Sequence, residues 1–172
     1  MKFSNGLKIS TESLLLAILI LLAFRFYIML YSSYFNGLAP LIFLPFLISP
    51  YLRKSAKFLG WFLGGIILTV SLSITDNFII LFASVFLGGL GYFYSSALRN
   101  KPNTLLDIIW NIIVTLITLW IISGVVSVLY DIKNLITFNQ AYNTFFSLGI
   151  IITLIINIPI MHFYGNKLNI LK

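Results

Sequence analysis

The stretch from Leu38 to Lys57, LAPLIFLPFLISPYLRKSAK, decides how this chain folds. Its first part is apolar but is interrupted by three prolines, each of which removes a backbone donor and disfavours a regular helix: Pro40, Pro45 and Pro50. A basic cluster, Arg53 to Lys57, follows directly. Short basic loops stay on the cytoplasmic face of a membrane. A re-entrant turn would leave this cluster outside, so the pattern predicts a short, kinked segment that crosses.

The composition indicates a membrane protein. Of 172 residues, 60% are hydrophobic and 9% are charged, whereas a soluble domain carries about 25% charged residues. Each crossing takes about 20 apolar residues, so six spans consume most of the chain and predict one transmembrane domain over 1–172. The absence of cysteine excludes disulfides and thiolate metal sites, and His162 is the single histidine.

The predicted fold is an all-α integral membrane protein, a compact six-helix transmembrane bundle with both termini inside and a short, proline-kinked second span. The predicted spans are 13–33, 36–52, 58–75, 77–97, 105–130 and 143–164. Nine of the eleven Lys and Arg residues then lie on one face, Lys133 lies on the other, and Arg25 lies within the first span. This asymmetry predicts a multi-pass protein of the inner (plasma) membrane with both termini cytoplasmic.

Sequence patterns of an enzyme are absent. There is no HExxH, no GxSxG and no phosphate-binding loop. Asp76, Asp107 and Asp131 all fall at span ends, where nothing pairs any two of them as an acid–base couple. The formal charge of +7 is divided among separate short loops, which fits membrane orientation better than nucleic-acid binding. We therefore expect no enzyme, no cofactor, no metal and no nucleic-acid partner.

Small residues recur at helical spacing in the third and fourth spans. They fall at intervals of four, at Ala56, Gly60 and Gly64, at Ser84 and Gly88, and at Gly91 and Ser95. Such residues line one helix face and let two backbones approach closely. The spacing favours tight packing within the chain, and a docking surface for a partner is the alternative. Asn111 and Asn157 are predicted in the inner half of their spans, where we expect them to form interhelical hydrogen bonds.

Arg25 is the cation that membrane orientation does not explain. An arginine at the centre of a span costs about 2.5–3.5 kcal/mol on insertion scales, and such residues are functional by default. It either reaches toward the headgroups or makes an internal structural hydrogen bond, or it contacts an anionic ligand. Other polar residues predicted in the same outer half would line a ligand pocket with it: Tyr27, Tyr31, Asn36, Asp76, Asn77, Ser123, Tyr130 and Asn143.

Over nearly its whole length the chain resembles the substrate-binding S components of energy-coupling-factor (ECF) vitamin transporters. The similarity rests on the proline-bearing segment Ala39–Pro45, the glycine-rich segment Gly60–Gly65 and the closing Asn157-Ile-Pro159-Ile. Many S components also carry an Ala-xxx-Ala pair in span one that docks on a scaffold. Here Ser13-Leu-Leu-Leu-Ala17 stands in its place, with serine replacing the first alanine.

The resemblance implies a mechanism. A vitamin-like molecule binds from outside beneath a lid, Tyr31 to Gly37, in a pocket lined by Arg25 and the outer polar residues. Ser13 and Ala17 then face a transmembrane scaffold subunit that carries two ATPase subunits. The alternative is a non-transporting membrane scaffold of the cell-envelope machinery, similar to rod-shape-determining proteins. A ligand binder needs polar groups around a concave pocket, whereas a scaffold has that volume filled.

Overall fold

The chain is helical over the part that the structure, a computed structural model, describes: residues 5–26, 43–99 and 102–168. Six helical segments follow one another, and no strand occurs in those ranges. They are α1 (Asn5–Leu21) with a π-helical turn (Leu22–Phe26); α2 (Phe43–Ile48) with a 3-10 turn (Ser49–Tyr51); α3 (Lys54–Ser71); α4 (Asn77–Ala97); α5 (Leu105–Ile132); and a last rod made of α6 (Phe138–Ile152), a π turn (Thr153–Asn157) and α7 (Ile158–Leu168). The predicted helical fold is confirmed.

Four of these segments are long and apolar enough to cross a membrane: Asn5–Arg25, Asn77–Ala97, Leu105–Ile132 and Phe138–Tyr164. The other two differ for visible reasons. Helix α3 begins at Lys54 and includes Lys57, which lowers the hydropathy of its first turns. Helix α2 has six residues, which extend only about 9 Å. These lengths fit a multi-pass membrane protein.

Glycine contacts fix the direction of α1 relative to α3. Leu16 lies against Gly60 and Ile20 against Gly64, so closely that an added Cβ would come within 2.7 and 2.6 Å of those side chains. Because both residue numbers rise together, the two helices are parallel. The end of α1 and the start of α3 therefore lie at opposite ends of the bundle. Helix α2 packs on α1 and on the π turn of the last rod. It lies in the part of the chain that runs back from the end of α1 to the start of α3, as expected for the proline-rich segment.

The small-residue face of α4 packs against α3, whereas the predicted face of α3, with Gly60 and Gly64, packs against α1. The Gly65 backbone lies on Ser84, so that an added Cβ would approach the Ser84 Cα to 2.7 Å. Gly91 lies directly beneath the Trp61 indole, which occupies the place of a Cβ. The prediction of tight packing within the chain is confirmed.

The proline in the 3-10 turn leaves a backbone carbonyl that a side chain satisfies. Pro50 has no N–H, so the Phe46 carbonyl loses its partner four residues on. The Tyr94 hydroxyl of α4 donates to this carbonyl at 3.1 Å. Beside it the Ser95 and Ser49 hydroxyls are hydrogen-bonded at 2.8 Å. Helix α4 thus supplies polar partners that α2 cannot find in itself.

Replacing Tyr94 with Phe leaves the Phe46 carbonyl buried without its donor. We expect the free energy of unfolding to fall by about 1–3 kcal/mol. The matched control is Tyr92→Phe on the same helix, where the ring is 38% exposed and the change should have little effect. Thermal unfolding of both purified variants in detergent checks this expectation. Equal midpoints for the two would contradict the role given to the Tyr94 hydroxyl.

Beyond α2, which begins at the first residue described there, three helical segments have ends that differ by four or more residues from the predicted spans. Helix α1 begins eight residues before the predicted position, the last rod extends past both predicted ends, and α3 covers 54–71 instead of 58–75. Hydropathy marks the apolar part of a helix but not its polar turns. In α1 the Ser10 and Thr11 hydroxyls bond to carbonyls four residues earlier. After α3, Ser73 adopts a left-handed φ of 57°, which ends the helix.

Several basic residues lie at one end of the bundle. Arg53 forms an ion pair with Glu12 of α1 at 3.5 Å. The buried Lys57 ammonium donates to the Ser95 carbonyl, in the last turn of α4, at 2.8 Å. Arg99 follows Ser95 by four residues. We call this the basic end, and the opposite end, where α1, α3 and α5 finish, the far end.

Candidate ligand site at the far end of the bundle

The candidate site is centred on Arg25 and Tyr130, two of the predicted site residues. Arg25 lies in the π turn that follows α1, and Tyr130 lies in the last turn of α5. The buried Tyr130 hydroxyl donates to the Phe24 carbonyl at 2.6 Å. The Arg25 side chain interacts with the same hydroxyl, whose one proton is already given to the carbonyl. The oxygen lone pairs of Tyr130 therefore face the guanidinium, without an aligned hydrogen bond between the two side chains.

This contact turns Arg25 toward the interior of the bundle. Its side chain is half-buried, and its hydroxyl partner belongs to a residue that is fully buried. A guanidinium that simply reaches toward headgroups would not need an acceptor on α5. The guanidinium therefore lies beside an internal acceptor, and its five N–H donors leave room for a further contact.

Two of the four carboxylates act as helix caps at the far end. Asp76 precedes α4 and accepts from the N–H groups of Phe78 and Ile79 at 2.8 and 3.3 Å. Asp131 accepts from the N–H of Phe138, the first residue of α6, at 3.1 Å. Such caps satisfy amides that have no partner within their own helix. Both carboxylates have a structural role.

The other two carboxylates form ion pairs at the basic end, Glu12 with Arg53 and Asp107 with Arg99. The sequence contains four acidic residues in total, and none is paired with Arg25. Arg25 thus has no counter-ion among the side-chain carboxylates of its own chain.

The remaining predicted site residues are spread along three helices. Asn77 is exposed at the start of α4, and Asn143 is exposed on α6. Ser123 is buried in α5, where its carbonyl accepts from the Ser127 hydroxyl at 2.6 Å. Outside the described residues lie Tyr27, Tyr31, Asn36 and the rest of the predicted lid, Tyr31 to Gly37.

The predicted docking pair, Ser13 and Ala17, is buried within the chain. Their exposed fractions are 2% and 0%, and the Ser13 hydroxyl donates to the Ile9 carbonyl at 2.7 Å. The exposed face of α1 consists of other residues, among them Leu14, Leu15 and Ile18. In this conformation the two small side chains offer no surface to a partner.

The two inner-half asparagines have different surroundings. The Asn111 amide accepts from the Arg99 N–H at 2.8 Å and donates to the Arg99 carbonyl at 2.9 Å. This ties α5 to the loop that leaves α4, instead of joining two helices as expected. Asn157 is completely buried, yet neither atom of its amide has a hydrogen-bond partner among the described residues. The Asn157 amide faces the Tyr94 hydroxyl of α4 but forms no aligned interhelical bond with it. A polar cluster around this residue was missed from the sequence, although Thr153, Asn157 and Pro159 stand close together there.

The comparisons with protein-family models, curated proteins and solved structures find no match. No family is shown. Within the described ranges, no three His, Cys, Asp or Glu residues are grouped as metal ligands. The far-end site is thus characterised by its own geometry: an inward arginine, a buried tyrosine and no paired carboxylate.

Proposed function

We propose that this chain is a membrane-embedded substrate-binding subunit for the uptake of a vitamin or vitamin-like molecule that carries a carboxylate or phosphate. The observation that carries the proposal is Arg25, a cation within an apolar helix, directed at Tyr130 and without a carboxylate partner in its chain. Arginine presents a planar fork of donors that matches carboxylate and phosphate groups. Ionisable residues inside transmembrane helices commonly mark substrate pathways.

In this proposal the bundle lies in the plasma membrane with its basic end in the cytoplasm. The four long apolar helices and the cations gathered at one end support this placement. Both termini are then cytoplasmic, and the far end with Arg25 faces outward. Because the sequence has no phosphate-binding loop, ATP hydrolysis is assigned to two ATPase subunits on a separate transmembrane scaffold.

Arg25→Ala tests the proposed ligand contact. The wild-type protein, purified in detergent, is extracted, and the released small molecules are identified by mass spectrometry. We expect a water-soluble anionic compound in near-stoichiometric amount. Loss of a charged hydrogen bond is worth about 1.5–3 kcal/mol, which weakens binding about 10- to 100-fold. The Ala variant should therefore release little of the compound, and Arg25→Lys should retain part of it.

Arg53→Ala is the matched control, because it removes another half-buried arginine, at the other end of the bundle. Its released compounds should equal those of the wild type. Recovery of phospholipid as the sole anion that depends on Arg25 would assign the arginine to a lipid headgroup and contradict the proposal. Recovery of no anion that depends on Arg25 would contradict it as well.

A non-transporting scaffold of the cell envelope is the second candidate, and the packing of the far end favours it. Phe24, Tyr130 and Phe145 are each no more than 1% exposed. The Phe145 ring lies 5.6 Å from Phe24 and 5.9 Å from Tyr130, centroid to centroid. These aromatic rings occupy space between α1, α5 and α6 in which a ligand would otherwise bind. Co-purification of envelope proteins without any small molecule would select this candidate.

A further inference from the structure

A second group of polar side chains lies buried in the half of the bundle nearer the basic end. Thr115 of α5, Thr153 and Asn157 of the π turn are each 0% exposed. Neither threonine hydroxyl and neither atom of the Asn157 amide has a hydrogen-bond partner among the described residues. The same holds for the Tyr51 hydroxyl and the Trp61 indole N–H.

Tyr94 joins these residues into one cluster. Its hydroxyl donates to the Phe46 carbonyl and faces the Thr115 hydroxyl and the Asn157 amide without an aligned hydrogen bond to either. The Phe46 ring packs edge-on against Tyr94 at 5.1 Å and against Trp61 at 5.3 Å. Helices α2, α4, α5 and the last rod therefore meet around one polar region, and the Trp61 ring of α3 borders it behind Phe46.

The π turn accounts for the polar side chains that the last rod directs into this cluster. Pro159 has no N–H, so the regular helical bond to the Ile155 carbonyl is lost. The helix widens into the π turn just before it, and Thr153 and Asn157 stand at the two ends of that turn. Turns of this kind interrupt helices frequently at functional sites.

The energetic cost of leaving these groups unpaired is too large for a native fold. Each buried polar group without a partner costs about 1–3 kcal/mol. The four side chains of the cluster, Thr115, Thr153, Asn157 and Tyr51, would cost about 4–12 kcal/mol, comparable with the entire stability of a typical domain. Unpaired buried groups in native structures call for a bound water or ion. The cluster therefore requires a bound molecule or ion that supplies the missing hydrogen bonds.

The charges around the cluster favour an uncharged bound molecule. The buried Lys57 ammonium binds the carbonyl of Ser95, the residue next to Tyr94, and opposes a cation nearby. The amide N–H₂ of Asn157 is a donor and does not suit a cation either. The hydroxyl oxygens and the Asn157 carbonyl oxygen are acceptors, so the bound molecule must also donate hydrogen bonds. Water meets both requirements and needs two to four polar partners.

We infer that this cluster is a hydration site, in which a small group of bound water molecules bridges Thr115, Thr153, Asn157 and Tyr94. The site is independent of the far-end arginine, and it holds whether or not the chain transports a ligand. Water gives the π turn the hydrogen bonds that its own helix does not supply. It connects the last rod to α2, α4 and α5 through exchangeable contacts.

Thr115→Val tests this inference against a matched control. Thr118 lies on the same helix with 1% exposure, but its hydroxyl is bonded to the Val114 carbonyl at 2.7 Å. In a hydrated site, Thr115→Val removes a bond to water and should lower the midpoint of thermal unfolding by about 2–4 °C. Thr118→Val should shift it less. In a dry site the same Thr115 change deletes an unpaired hydroxyl, so an unchanged or raised midpoint would overturn the inference.

Radiolytic footprinting in ¹⁸O-labelled water gives a readout that does not depend on stability. Hydroxyl radicals formed from bound water should oxidise Tyr94, although its side chain is fully buried. The variant Thr115→Val with Asn157→Leu removes water partners and should reduce ¹⁸O incorporation at Tyr94 several-fold. If that variant does not fold, Thr115→Val alone serves. Equal incorporation in wild type and variant would overturn the hydration site.

Discussion

Gly91→Ala is expected to destabilise the bundle by about 3 kcal/mol, at the upper end of what an overpacked core costs. The Trp61 indole occupies the place where the new Cβ would stand. Both partners are fully buried within α3 and α4, so neither helix can move aside without disturbing the rest of the core. Thermal and denaturant unfolding of the purified protein in detergent measure the loss.

Gly89→Ala is the control for this change. Gly89 lies on the same helix, two residues earlier, and an added Cβ would meet nothing within 4 Å. Alanine is favoured over glycine in a helix interior by about 1 kcal/mol, so this variant should be as stable as the wild type or more stable. Equal losses for both alanine variants would mean that helix propensity, rather than contact with Trp61, governs position 91.

Trp61→Ala is expected to cost about 3–5 kcal/mol, the range for deleting a large buried aromatic side chain. Trp61 is completely buried between Gly91 and the Phe46 ring. Trp120→Ala removes the same side chain from a position that is 58% exposed and should change stability far less. The free energies of unfolding of the two variants, compared with wild type, check this.

The two substitutions should also be coupled. In a chain that already carries Trp61→Ala, the indole that obstructs position 91 is gone, so Gly91→Ala should lose most of its effect. A double-mutant cycle measures this coupling directly. Additive losses would contradict a direct contact between Trp61 and position 91.

Much of the fold could be predicted from the sequence because the determining signals are local. Runs of apolar residues indicated the helices, and small residues four apart indicated which faces of α3 and α4 pack closely. The charge that follows Pro50 indicated that the second segment returns along the bundle, which agrees with the parallel arrangement of α1 and α3. The helix ends were less accurate, because the polar first turns of α1 are helical without being apolar.

The site could be predicted only in part, because its contacts join residues far apart in the chain. The sequence singled out Arg25 but could not give its direction, which depends on the Tyr130 hydroxyl 105 residues away. It placed Ser13 and Ala17 on a helix face without showing that the chain itself covers that face. It also assigned Asn157 a bond that its neighbours do not provide. In each case the outcome depends on which side chain of another helix packs against the residue.

The hydrogen bond between Tyr94 and the Phe46 carbonyl has a consequence for biosynthesis. Its donor is translated 48 residues after its acceptor. A carbonyl left without a partner in hydrocarbon costs several kcal/mol, so α2 gains little by entering a bilayer as soon as it leaves the ribosome. We therefore expect α2 to insert only after α3 and α4 have been synthesised. Helices α2 to α4 are then expected to enter a bilayer as one unit rather than one after another.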